Sequence, residues 1–248
     1  KISTVFQTNF PFLPSRFPFF YGWVIVVVTT LGIISSIPGQ TIGVGVYTDF
    51  LIQSSHLNRM QISMAYMVGT ILSSLLLPLA GRYYDILGAR IMIVFAGIGL
   101  GFSLLLFSEA STLIELLHSV FPKIPTLSIE LFAMIVIFLL LRQFGQGIMA
   151  MVCRNTLAKW FERRRGLVSG ISGIFVAFSF SGAPLFMNIF IEDYGNSDSM
   201  VLMALIFGFG MAIVGWFFFR DNPEECGLLM DGKKISSVER AEQPLGRK

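Results

Sequence analysis

The chain has 248 residues, of which 54% are hydrophobic and only 13% charged, with a formal net charge of +3 at pH 7 and a mean hydropathy of +0.73. A soluble domain carries about a quarter charged residues, so this density cannot coat a water-exposed fold and soluble enzymes are excluded. The small positive charge sorts to one side of a membrane, and nucleic acid is not its explanation.

The segment 1–20 alternates Pro, Phe and polar side chains without a continuous apolar core or a small-residue cleavage site. It reads as a cytoplasmic amino-terminal segment rather than a signal peptide, and Lys1 in place of Met suggests that a few residues precede it. Apolar stretches of the length a bilayer requires, about 20 residues, then follow at 21–51, 62–81, 90–108, 131–160, 166–191 and 200–219. Six spans put both termini on one side. Of the Lys and Arg residues, only Arg59 and Lys123 lie between spans on the opposite side, and Arg142 lies within a span. The positive-inside rule therefore makes both termini cytoplasmic, and the turn with Arg163, Arg164 and Arg165 satisfies it without help from the tail.

Between the third and fourth spans, Leu113, Leu116, Leu117 and Val120 repeat at helical spacing. This predicts a short helix on the outer surface, either a lid over the outer mouth or a packed loop helix. Glycines at four-residue spacing, Gly97 with Gly101 and Gly166 with Gly170, predict close helix packing. Residues 21–229 thus form a membrane bundle, and 230–248, polar and aperiodic, read as a flexible cytoplasmic linker or tail. Cys153 and Cys226 both fall on the cytoplasmic side, where no disulfide is expected. His56 and His118 are loop residues without a partner at ligand spacing, so neither a metal nor a cofactor is implied.

The second cytoplasmic turn reads Gly81-Arg-Tyr-Tyr-Asp85-Ile-Leu-Gly88-Ala-Arg90. Two glycines permit a tight reverse path, Asp85 can accept from helix-start amides, and the cations can hold carbonyl ends. The pattern Gly-x-x-x-Asp-x-x-Gly-x-Arg resembles the loop motif of the major facilitator superfamily, between the second and third helices of its amino-terminal half. Arg142-Gln-Phe-Gly145-Gln146-Gly147 is similar to that family's Arg and Gln-Gly motif in the fourth span, with one extra residue of spacing. Lys159-Trp160-Phe161-Glu162-Arg163-Arg164-Arg165-Gly166 resembles its basic turn between helices four and five, and Asp221-Asn-Pro-Glu-Glu-Cys-Gly the segment after helix six. Tyr21-Gly22-Trp23, with Pro38-Gly39-Gln40-Thr41 in the middle of the first span, is similar to the monocarboxylate and oxalate/formate branch.

The resemblance implies an all-α membrane protein of six transmembrane helices in two inverted three-helix repeats, half of a twelve-helix transporter, in a bacterial-type inner or plasma membrane. Its partners would be the lipid bilayer, a small organic anion, and a missing carboxy-terminal half or partner subunit. In the repeats the first and fourth spans are equivalent, and Gly39-Gln40 and Gly145-Gln146 set a Gly-Gln pair near mid-membrane in each. Each glutamine can face a polar cavity or join helices. Arg142 lies about 5 Å from the middle of its span, where a charge costs at least about 2.5 kcal/mol. It either binds a substrate anion or ties the first span to the fourth. Thr41, Tyr66 and Asn188 are candidate cavity groups beside Gln40, Gln146 and Arg142, with Tyr47 another. Gly81, Asp85, Gly88 and Arg90 are the expected gating loop, and Asp49 is the candidate proton acceptor, unless it is a solvated end charge.

The leading expectation is a secondary carrier of small organic anions such as monocarboxylates or oxalate and formate, moved with protons or by exchange. The alternative is a non-transporting six-helix scaffold subunit. No Gly-x-x-x-x-Gly-Lys-Ser/Thr loop suggests ATP drive, and no His-Glu-x-x-His, Gly-x-Ser-x-Gly or carboxylate pair within a span suggests an intramembrane enzyme.

Overall fold

The computed structural model describes residues 11–232, and among these no strand occurs. The helices are α1 (Gly22–Ser35), α2 (Thr41–Val46), α3 (Thr48–Ser54), α4 (Arg59–Leu87), α5 (Ala89–Ser108), α6 (Ala110–Val120), α7 (Thr126–Leu141), α8 (Ala150–Trp160), α9 (Arg165–Tyr194), α10 (Asn196–Met203) and α11 (Gly210–Phe218). A π-helical stretch, Arg142–Met149, joins α7 to α8, and another, Ala204–Phe209, joins α10 to α11. Five helices are long and apolar enough to cross a membrane: Arg59–Leu87, Ala89–Ser108, Thr126–Trp160, Arg165–Tyr194 and Asn196–Phe218.

The first apolar stretch, expected as one span over 21–51, is broken. Its α1 ends at Ser35, a 3-10 turn covers Ile37–Gly39, and two short helices follow. Pro38 lacks an amide hydrogen and its ring disfavours a continuing α-helix. Gly39 fixes where the break falls, because its backbone lies directly on the fourth span. A Cβ there would overlap the Leu141 carbonyl oxygen and stand 3.0 Å from the Gly145 Cα.

Small residues also set the contact between α5 and the last span. A Cβ on Gly97 would come within 2.8 Å of the Gly208 oxygen, and one on Gly208 within 2.6 Å of the Gly101 nitrogen. The expected Gly97 and Gly101 packing is therefore present. The second pair differs: a Cβ on Gly166 or Gly170 would meet nothing within 4 Å. The reason is that α9 is barely covered, with four of its 30 residues buried against twelve of 20 in α5. Its exposed Ile174, Phe175, Phe178 and Leu185 present an apolar face.

At the far end from the 161–165 turn, Asn58 closes the start of α4. Its side chain accepts from the Gln61 amide at 2.9 Å while the Gln61 side chain accepts from the Asn58 amide at 2.8 Å, a reciprocal cap. The surface helix expected near 113–120 is α6, which packs on α7. The fourth expected span begins at Thr126, ahead of its continuous apolar run, and so takes in Glu130. That carboxylate is 2% exposed and accepts from the His56 amide at 3.2 Å while meeting the His56 Nδ1 at 2.7 Å. His56 thus has a partner after all, and it joins the α3–α4 connection to α7. The amino-terminal residues 1–10 and the tail from 233 lie outside the described residues.

Candidate functional site

Polar side chains recur on one face of each of several helices, and the fold turns those faces toward one cavity of about 470 Å³. From α4 come Thr70, Ser73, Ser74 and Leu77, spaced three and four apart on a single stripe. Arg142, Gln146, Gly147, Ala150, Met151, Arg154 and Asn155 come from the long helix of α7, its π-helical stretch and α8. Val176 and Phe180 of α9 and Ile33 and Gln40 of the broken first stretch complete the lining. No carboxylate is among these residues. Neither α5 nor the helix 196–218 contributes, because their glycine-lined faces are used on each other.

At the centre of this lining, the Arg142 guanidinium donates to the Gln146 amide oxygen, one turn further on. It also stands over the Tyr66 ring, 5.3 Å from its centroid. The Tyr66 hydroxyl is 2.9 Å from the Thr41 hydroxyl, and the Gln40 amide nitrogen donates to Ser36 Oγ at 3.0 Å. The two Gly-Gln pairs face each other through their glycines: a Cβ on Gly145 would stand 2.9 Å from the Gly39 Cα. Gln40, Thr41, Tyr66, Arg142 and Gln146 are thereby brought to one place. The π-helical turn is part of the reason. An inserted residue widens the helix where the sequence carries Arg142, and such bulges are common at functional positions.

Asn188 and Asp49 are not brought there. Asn188 lies on the exposed surface of α9, away from the cavity lining. Asp49 is ion-paired with Arg59, and both side chains are largely exposed. Tyr47 is buried and bonds the Ser199 hydroxyl at 2.9 Å, which makes it a packing group. Ser73 reaches behind the lining to the Gln143 side-chain oxygen at 2.9 Å, tying α4 to the π-helical turn.

The turn expected as a gate is held from below by residues that follow the last span. Asp221 Oδ1 accepts from the Arg90 amide at 3.1 Å, at the start of α5. Gly88 carries φ +83, and a Cβ on it would stand 2.7 Å from the Asp221 Cγ. Glycine is thus required both by conformation and by space. Burial pushes the Asp221 carboxyl above its ordinary value, with the Arg90 and Ala89 amides pulling the other way. Arg90, 3% exposed, donates from Nε to the Trp216 carbonyl at 2.8 Å and stacks on that indole. Asp85 is exposed, so the helix-start amides expected for it are served by Asp221 instead. Gly81 has open space at its Cβ position. A second acidic residue repeats the device: Asp231 accepts from the Glu162, Arg163 and Arg164 amides at 3.3, 2.7 and 3.1 Å at the start of α9.

A sequence model described as Major Facilitator Superfamily matches residues 28–237. The chain belongs to the major facilitator superfamily. No curated protein and no solved structure matches it. The superfamily is one of membrane transporters, not of enzymes, and the five long apolar helices agree with an integral membrane protein.

Within this superfamily fold, the residues that reading along the chain missed are Arg154, Asn155 and the α4 hydroxyls, together with Asp221 and Asp231. The Thr70, Ser73 and Ser74 stripe was legible as a 3–4 spacing of polar residues in an apolar helix. The two aspartates were not, since the amides they cap belong to distant parts of the sequence. Their structural weight is open to measurement. Asp221→Ala removes the cap and should lower stability by about 1–2 kcal/mol, whereas Asp221→Asn keeps an acceptor and sheds a half-buried charge. Asp85→Asn, at an exposed position, should change stability by less than about 0.5 kcal/mol. Thermal unfolding in detergent ranks the three; equal losses at 85 and 221 would show that the cap is not what holds the turn.

Proposed function

We propose that this chain is the six-span amino-terminal half of a secondary carrier that moves a small organic anion by alternating access. The observation that carries the reading is Arg142. A guanidinium near the middle of a membrane-crossing helix faces a cavity lined by hydroxyls and amides, with no carboxylate in that lining to neutralise it. A carboxylate fits such a site by two parallel charge-assisted hydrogen bonds, and the Gln146 side-chain amide nitrogen can donate to one of its remaining lone pairs. The broken first stretch at mid-membrane supports the same reading, because discontinuous helices commonly form carrier sites. Monocarboxylates, oxalate and formate are the anions we favour, on the likeness of Tyr21-Gly22-Trp23 and Pro38-Gly39-Gln40-Thr41 to that branch. The missing half would close the cavity against the apolar faces of α4 and α9. Asp49, paired at the surface, is given no part in proton coupling.

The test is uptake into proteoliposomes by the full-length protein, using labelled formate, lactate and oxalate. Saturable uptake of at least one, competed by other carboxylates and not by their amides, is expected. Uptake confined to cations or neutral sugars would sink the reading.

We further propose that the 161–165 turn faces the cytoplasm. Cys226 is 4% exposed and is a poor reporter from either side, so exposed positions are needed. Lys123→Cys should react with an impermeant thiol reagent on intact cells, and Glu224→Cys only after permeabilisation. The reverse pattern would invert the orientation.

A further inference from the structure

The cavity holds a second arginine that the site around Arg142 does not use. Arg154 lines the same cavity but lies twelve residues further along the helix, about three turns on. Its surroundings differ from those of Arg142. Among the described residues it makes no hydrogen bond or ion pair, whereas Arg142 is engaged by Gln146 and Tyr66. On α8, Val152, Cys153, Thr156, Leu157 and Trp160 are buried, while Ala150, Met151, Arg154 and Asn155 line the cavity, the last two as its polar members.

We infer that Arg154 and Asn155 form a second anion station at the mouth of the cavity, on the side of the 161–165 turn, from which the anion passes to Arg142. The inference rests on the organic-anion reading above. The exposed guanidinium binds weakly because water screens it, and weak binding is what a way station needs if its occupant is to move on. With Arg163, Arg164 and Arg165 at the adjacent turn, it raises the local anion concentration and the capture rate.

The experiment uses the full-length protein, oriented in proteoliposomes, with labelled formate, lactate and oxalate offered from either side. Arg154→Gln should raise KM about tenfold for anion presented on the 161–165 side only, flatten the dependence of uptake on ionic strength, and leave the unliganded Tm unchanged. Arg154→Lys should restore most of the loss, because the charge is what steers. Equal KM changes on both sides would overturn the inference. So would the loss of anion-induced stabilisation that Arg142→Gln is expected to show, since Arg154 would then belong to the central site. A fall in unliganded Tm would assign it to packing and overturn it too. Wild-type protein that takes up none of the three anions sinks the organic-anion reading itself, a result distinct from wild-type uptake that Arg154→Gln leaves unaltered.

Discussion

Arg142→Gln is expected to lower the affinity of the full-length carrier for its anion by about 2–5 kcal/mol, the usual cost of truncating one partner of a desolvated charge pair. Because a tenfold change in affinity corresponds to about 1.4 kcal/mol, binding at the upper end is lost at any practical concentration. Arg142→Lys keeps the charge and loses the planar fork, and should retain weak binding. A tethering role predicts a different result. Among the described residues Arg142 hydrogen-bonds to Gln146 on its own helix and stands over the Tyr66 ring of α4, a contact of about 0.5–2 kcal/mol. Its loss should therefore cost little stability without ligand. Tyr66→Phe is the control, since it keeps the ring and removes only the bond to Thr41. Ligand-induced stabilisation of the purified protein decides the matter. If Arg142→Gln is stabilised by formate, lactate or oxalate as the wild type is, the residue is not the anion site.

How far the sequence carries the fold can be seen at particular residues. Five of the six apolar stretches became single long helices, because length and composition suffice to specify a membrane crossing. The break in the first was hidden, since Ile37, Pro38 and Gly39 leave the stretch as apolar as before, and only the contact with Gly145 decides where the helix yields. Glu130 escaped notice for a related reason: the apolar run starts at Leu131, while the helix starts at Thr126. In the candidate site, Arg142, Gln146, Gln40, Thr41 and Tyr66 were legible because polar groups in apolar spans are costly and must face something. Asp221 was not, because a cap supplied from 131 residues away has no local signature. Asp85 drew the attention instead, standing in the right turn on an exposed face.

Gly145 offers the sharper structural test, because a neighbour two residues away supplies its own control. Alanine is the better helix former by about 0.5–1 kcal/mol, so propensity alone predicts that Gly145→Ala and Gly147→Ala both stabilise. Space predicts that they part. A Cβ on Gly147 would find its nearest atom, the Arg142 carbonyl oxygen, at 3.4 Å, an ordinary contact. One on Gly145 would stand 2.9 Å from the Gly39 Cα and 3.3 Å from the Ser36 oxygen, both backbone atoms that cannot rotate away. The broken first stretch must then retreat from the fourth span, at an overpacking cost of about 1–3 kcal/mol. That retreat carries Gln40 and Thr41 away from Tyr66 and Arg142, so transport should fall further than stability. Gly147→Ala should be neutral or slightly stabilising. Equal melting temperatures for the two variants would mean that the two Gly-Gln pairs do not meet, and the contact that builds the site from the first and fourth spans would have to be abandoned.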